Sequence, residues 1–324
     1  MSCAAFQPNS CVVAEVAPSP NYNERKDGRR PDLILLHYTG MQSASAALER
    51  LTSRVSEVSS HYFVFEDGRI LQLVEESRRA WHAGASSWAG ETDINSCSIG
   101  IEIANPGHEF GYPDFSSRQI AAVTTLCRSI FTRHSVPPAR VLAHSDVAPS
   151  RKQDPGEKFP WRRLHDSGVG HWVAPASLDE PGDVLTLGDR GDAVAALQKS
   201  LAAYGYGIVP NGLYDSATHD VVAAFQRHFR PQRVNGVADA STQKTLNELL
   251  AHRDRPRNIA ARVREFERRT APLTPAHAAP IPVRSVGRTA AAAPPPFTPP
   301  LAGEGLGGGK RERKVRAPWT SGAG

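Results

Sequence analysis

The nine residues Asp32–Gly40, "DLILLHYTG", decide how the rest of the chain is read. An apolar run enters a histidine and stops at a Thr-Gly turn, the pattern of a short buried strand. Such a strand needs a layer packed on it, and the flanking sequence supplies candidates. "SASAALERLTS" (Ser43–Ser53) has helical spacing, and "SHYFVFEDGRILQLV" (Ser60–Val74) is two β-rich runs around Glu-Asp-Gly, a hairpin pattern. "SCSIGIEIAN" (Ser96–Asn105) reads as another strand. "FSSRQIAAVTTLCRSIFTRH" (Phe115–His134) reads as a serine-capped helix with apolar residues three to four apart. "RVLAHSD" (Arg140–Asp146) closes the series as a last short strand. Strands and helices alternate, so residues 31–172 are expected to form one layered α/β domain.

The remaining segments differ in character. Residues 1–30 are polar and read as irregular, and 173–182 read as a linker. Residues 183–252 hold three helical stretches, with the echoed turns "NGLYDSAT" (Asn211–Thr218) and "NGVADAST" (Asn235–Thr242) suggesting an internal duplication. Residues 253–324 are rich in Pro, Ala, Gly and Arg without periodicity, and are expected to be disordered.

Composition bounds the function classes. The chain has 324 residues, 40% hydrophobic and 22% charged, as in ordinary globular proteins, and is long enough to build a core without disulfides. Its net charge of +5 is unevenly placed: from Ala251 onward there are 14 Lys+Arg against 5 Asp+Glu, leaving the rest acidic. The basic excess belongs to the tail, which lacks interleaved aromatics, so no nucleic-acid partner is expected. Four cysteines without a CxxC pair argue against a disulfide framework or a four-cysteine metal site. No apolar run approaches a membrane span, and no export signal is visible at the N-terminus. The compartment is therefore open between cytoplasm and wall, and a monomer is expected.

Two of the twelve histidines stand apart by position. His37 and His144 each end an apolar run, "LILLH" and "VLAH", where a strand delivers a side chain to the edge of a sheet. Two histidines and a carboxylate make an open catalytic zinc site, with water in the fourth position. Asp154, in the stiff "DPG" turn, is able to supply the carboxylate, although a turn acid is an equal reading from spacing alone. In "SIGIEIAN", strand alternation puts Glu102 on one face with Gly100 and Ala104 as its only neighbours. A carboxylate with cleared space above it suits a general base opposite a metal. Lys152, two residues before Asp154, would place a positive charge beside a developing oxyanion, or is simply a solvated loop lysine.

Taken together, "LLHYTG", "SHYFV", "AWHAG", "NSCSIGIEIAN" and "AHSDVAPSRKQDPG…FPW" closely resemble the AmpD/AmiD-type N-acetylmuramoyl-L-alanine amidases. The resemblance implies a mixed central sheet flanked by helices, the fold shared with peptidoglycan recognition proteins. It also implies zinc held by His37, His144 and Asp154, Glu102 as general base and Lys152 as oxyanion stabiliser. By the same resemblance Trp81, His82 and Asn105 belong to the substrate cleft, with His61 in a supporting role. The stretch 183–252 resembles a three-helix peptidoglycan-binding domain. The expected activity is hydrolysis of the amide between N-acetylmuramic acid and L-alanine in peptidoglycan or muropeptides. Its rivals are a non-catalytic recognition protein, which would need a lost ligand or base, and a zinc peptidase acting within the stem peptide.

Overall fold

The computed structural model describes residues 6–253, so the expectation of a disordered tail lies outside the described residues. Its first strands correct the reading of the N-terminal segment as irregular. β1 (Glu15–Val16) pairs in parallel with Leu71–Gln72, and β2 (Tyr22–Glu24) pairs antiparallel with Arg78–Ala80. Strands of two or three residues carry no readable alternation; β1 forms because the edge of the main sheet offers free backbone partners, and β2 because Arg78–Ala80 do.

The decisive run forms β3 (Leu33–Tyr38), followed by α1 (Ala44–Thr52), which Ser43 caps through its side chain. Then come β4 (Tyr62–Val64), β5 (Ile70–Gln72), β6 (Arg78–Ala80), the one-turn α2 (Ile94–Cys97) and β7 (Ser98–Ile103). After these lie α3 (Ser117–Arg133), β8 (Val141–Ala143), the short α4 (His144–Val147) and α5 (Trp161–Asp166). The main sheet runs β1-β5-β4-β7-β3-β8, parallel throughout except for the β4–β5 hairpin. It is the mixed, helix-flanked sheet expected.

Alternation along the two central strands sorts the layers. Ile34, Leu36, Ile99, Ile101 and Ile103 pack on one face against Ile120, Val123, Leu126, Cys127 and Ile130 of α3, all at most 1% exposed. Each such apolar side chain contributes roughly 1.5–3 kcal/mol through burial. Leu33 and Leu35 point to the other face, as does His37, so β3 is buried on both faces and carries its functional side chain on the row away from α3.

Three further helices follow: α6 (Asp192–Tyr204), α7 (Ser216–Phe229) and α8 (Ala240–Arg253). The echoed turns have a structural cause. Gln198, on α6, accepts from the backbone N–H groups of Asn211 and Gly212 and donates to Thr218 Oγ1. Gln226, on α7, repeats this with Asn235, Gly236 and Thr242. Each turn is thus a buried glutamine satisfying backbone that would otherwise be orphaned. The helices share one apolar cluster with Leu33, Leu35, Trp88 and Val147 of the α/β layer, so the two parts have a continuous core. Among the described residues no helix is long and apolar enough to cross a membrane.

Candidate metal centre and cleft

His37 enters the site from β3 and lies beside Glu102 in the parallel ladder with β7, while β8 flanks β3 on its other side. His144 is not the end of β8, as "VLAH" suggested, but the first residue of α4. Asp154 arrives ten residues later, tied back by Ser145 N–H donating to its carbonyl at 3.0 Å. Gly156, two residues on, has φ of +82°, and a Cβ there would fall 2.2 Å from the Tyr112 hydroxyl. That hydroxyl donates to Pro155 O at 2.7 Å, so glycine lets Tyr112 pin the turn that carries Asp154.

The three side chains converge. His37 Nδ1 and His144 Nδ1 are 2.9 Å apart, and each is 3.1 Å from Asp154 Oδ2. All three residues are buried.

The proton positions follow from the partners. The carbonyl of Ala83 only accepts, so His144 Nε2–H donates to it at 3.0 Å and leaves Nδ1 bare. Ser98 donates its hydroxyl to Ile94 O, and therefore accepts from His82 Nε2–H. His82 Nδ1 is then an acceptor, and His37 Nε2–H donates to it at 3.1 Å, leaving His37 Nδ1 bare as well. Burial pushes the His37 imidazole down to about 4, with His144 adding to the effect, so at neutral pH the ring carries no second proton. Burial alone would raise Asp154, but His144 and His37 outweigh it and hold its carboxyl well below the usual range. Three lone-pair donors thus face one point with no proton between them.

Ligands around tetrahedral zinc lie about 3.3 Å from each other, given bonds of about 2.0–2.1 Å. The observed triangle fits that spacing, and both histidines have the outer hydrogen bonds that orient metal ligands.

These residues line a cavity of about 430 Å³ together with Glu102, Lys152, Trp81 and His82. Glu102 Oε2 is buried and has no hydrogen-bond partner among the described residues. Burial pushes its carboxyl well above the ordinary value; Asp154 adds to this and Lys152 opposes it. The space expected above Glu102 is only partly open: a Cβ on Gly100 would lie 2.6 Å from His82 Cγ, so the His82 ring occupies that side. Trp81 is held by its indole N–H donating to Asn23 Oδ1 from β2.

Two expected site residues do not line the cavity. His61 is wholly buried behind the cleft, its Nδ1 accepting from Gly100 N–H and its Nε2 set against Arg25 and the Arg78 carbonyl. Burial, then Arg25, pushes it to about 3. Asn105 shapes a loop, donating to Pro113 O and accepting from Gly107 N–H, and does not line the cavity. Conversely Tyr38, Arg50, His108 and Arg151 line the cavity without having been singled out. Tyr38 and Arg151 stand inside the motifs "LLHYTG" and "AHSDVAPSRKQDPG". Arg50 follows a helical pattern whose outward face gives no hint of a cleft.

Comparison with known proteins identifies the family. A family profile for N-acetylmuramoyl-L-alanine amidases matches residues 27–157, and one for a peptidoglycan binding domain matches 190–246. The chain is 38% identical over 237 residues to the N-acetylmuramoyl-L-alanine amidase AmiD of Escherichia coli, covering 68% of this chain and 83% of AmiD. It is 34% identical over 168 residues to the 1,6-anhydro-N-acetylmuramyl-L-alanine amidase AmpD of Citrobacter freundii, covering 47% of this chain and 88% of AmpD. The fold matches that of E. coli AmiD, solved in complex with the substrate anhydro-N-acetylmuramic acid-L-Ala-D-gamma-Glu-L-Lys. The TM-score is 0.60 at 36% identity, covering 71% of this chain and 92% of that one. An identity of 38% sustained over most of AmiD reflects common descent, and the chain belongs to the N-acetylmuramoyl-L-alanine amidase family as an enzyme of that class.

Proposed function

We propose that His37, His144 and Asp154 hold a zinc ion, and that Glu102 and Lys152 work beside it. The reaction cleaves the amide between N-acetylmuramic acid and L-alanine in peptidoglycan or its muropeptide fragments. The observation that carries this reading is the triangle of proton-free donors at 2.9–3.1 Å, which repel one another unless a cation lies among them. Two imidazole nitrogens and one carboxylate oxygen favour zinc over the oxygen-only sets of magnesium and calcium. Zinc bound there supplies Lewis acidity, polarising a carbonyl and making water easier to deprotonate.

The protein's own groups do the rest. Glu102 takes a proton from water as the water oxygen attacks the lactyl carbonyl carbon. Lys152, which lines the same cavity, would offset the negative charge that the carbonyl oxygen gains. When the C–N bond breaks, Glu102 returns the proton to the departing nitrogen of L-alanine, leaving a free acid and a free amine. A carboxylate whose Oε2 has no hydrogen-bond partner among the described residues is free to take the proton in the first transfer and return it in the second. His82 orients His37, and Trp81 offers an aromatic wall to the substrate. The helical module supplies a second grip on the polymer, raising the effective substrate concentration at the cleft.

Chromatography of digested muropeptides tests this. Purified protein with zinc is expected to release stem peptides beginning with L-alanine. Peptides that stay on the sugar while metal is bound overturn the reaction, and cuts inside the stem peptide point to a zinc peptidase instead.

A further inference from the structure

Asp146 is wholly buried at the junction between the α/β layer and the helical module, two residues after His144 on α4. Its carboxylate accepts three hydrogen bonds. Tyr206 O–H donates to Oδ1 at 2.7 Å, while His228 Nδ1–H at 2.6 Å and Ala143 N–H at 2.8 Å donate to Oδ2. Ala143 immediately precedes His144. The other two donors belong to the module: Tyr206 follows α6, and His228 lies on α7. We propose that Tyr206 and His228 are positioning residues for the metal centre, acting through Asp146 to set the backbone from which His144 projects.

The physical case rests on what α4 lacks. A four-residue helix has no stability of its own and takes its position from its contacts. A buried carboxylate costs several kcal/mol unless its oxygens are filled, so Asp146 stays where its donors are. Those donors are rigid. The His228 ring lies between Trp161 and Phe229, with centroids 3.7 and 3.8 Å away. Tyr206 packs against Trp88 and Phe225. Burial holds the Tyr206 hydroxyl well above its ordinary value, so it remains a donor. The path from module to metal is therefore short: two fixed donors, one carboxylate, the Ala143–His144 peptide and the imidazole. A module serving only as a tether needs none of this, because tethering works through any linker.

The inference rests on the reading of His37, His144 and Asp154 as a metal site, and the experiment separates the two. The full chain and its variants Tyr206→Phe, His228→Phe and His228→Asn are stripped of metal and titrated with zinc against a chromophoric chelator. Cobalt(II) absorption reports the geometry of the centre. Loss of a hydrogen bond made by a ligand itself typically costs about 10–100-fold in metal affinity. Tyr206 and His228 act one residue further out, so Y206F and H228F are expected to bind zinc about three- to tenfold more weakly, with an altered cobalt spectrum. H228N, which keeps a donor near the same place, is expected to recover most of the affinity. Val194→Ala, which removes packing inside the module, is expected to lower the melting temperature and leave both readouts unchanged. Y206F deletes a single oxygen and carries the test if H228F does not fold. Wild-type affinity and spectrum in folded Y206F overturn the proposal while leaving the metal site standing. A parent chain that binds neither zinc nor cobalt overturns both.

Discussion

Glu102 sits directly opposite His37 in the parallel pairing of β7 with β3, so a general-base candidate and a metal-ligand candidate occupy adjacent places on one sheet face. The pairing register alone brings them together; they are 65 residues apart in sequence. A one-residue slip would turn either side chain into the apolar face packed on α3.

Glu102→Gln keeps the shape of the side chain and removes its ability to take a proton. We expect kcat for stem-peptide release to fall by about 10³-fold, within the range for a lost general base. Zinc content by elemental analysis is expected to stay at the wild-type level, since Glu102 is not among the three donors.

Gly100→Ala tests the packing behind the metal centre. The added methyl would fall 2.6 Å from the His82 ring, whose Nδ1 accepts from His37. Displacing His82 is expected to weaken zinc binding at least tenfold and to cost about 1–3 kcal/mol of stability. Denaturant unfolding of the metal-loaded and metal-free forms separates the two effects.

Chelation is expected to abolish turnover and zinc to restore it. It should also lower the melting temperature, because a ligand bound only to the folded state at 1,000 times its Kd adds about 4 kcal/mol. Asp154→Asn is expected to lose the zinc-dependent part of the melting shift. An unchanged shift in that variant would count against Asp154 as a ligand.

The acid limit of the fold should depend on Glu76. Burial alone would raise its carboxyl, but hydrogen bonds from Arg133, His134 and Tyr62 outweigh this and bring it down to about 2. Its folded value lies below its unfolded one, so the stability it contributes is present above about 4.5 and is lost as pH falls toward 2. Glu76→Gln is expected to cost about 3 kcal/mol at neutral pH, leaving Arg133 without its partner, and to flatten the stability profile across that window. Urea titrations at stepped pH measure both.

Truncation after Arg253 is expected to leave amidase turnover on soluble muropeptides within a factor of about two, since every side chain assigned to the cleft, and the core cluster that supports it, lies earlier in the chain. A large loss of turnover would give the tail a part in catalysis.

Much of the molecule was legible in one dimension. The period-two pattern of "SIGIEIAN", the capped helix after Ser116 and the motifs around His37, His144 and Asp154 are local features, and local sterics and burial express them directly. The echoed Asn-Gly turns were visible as repeats, although the buried glutamines that cause them were not singled out. Other features depend on residues far apart in sequence. β1 and β2 form only where a strand more than fifty residues away is there to pair with, and His61 and Asn105 sit in the right motifs yet spend their polar atoms on neighbouring backbone. His82 reached the site through a gap left by Gly100, and Asp146 met Tyr206 and His228 across the packed module. Residue types and strand alternation are local properties, so the chemistry the chain carries can be read along one dimension. Which polar groups face the cavity and which are consumed in holding it follows from packing, because a hydrogen-bonding atom is committed by whichever partner comes within about 3 Å.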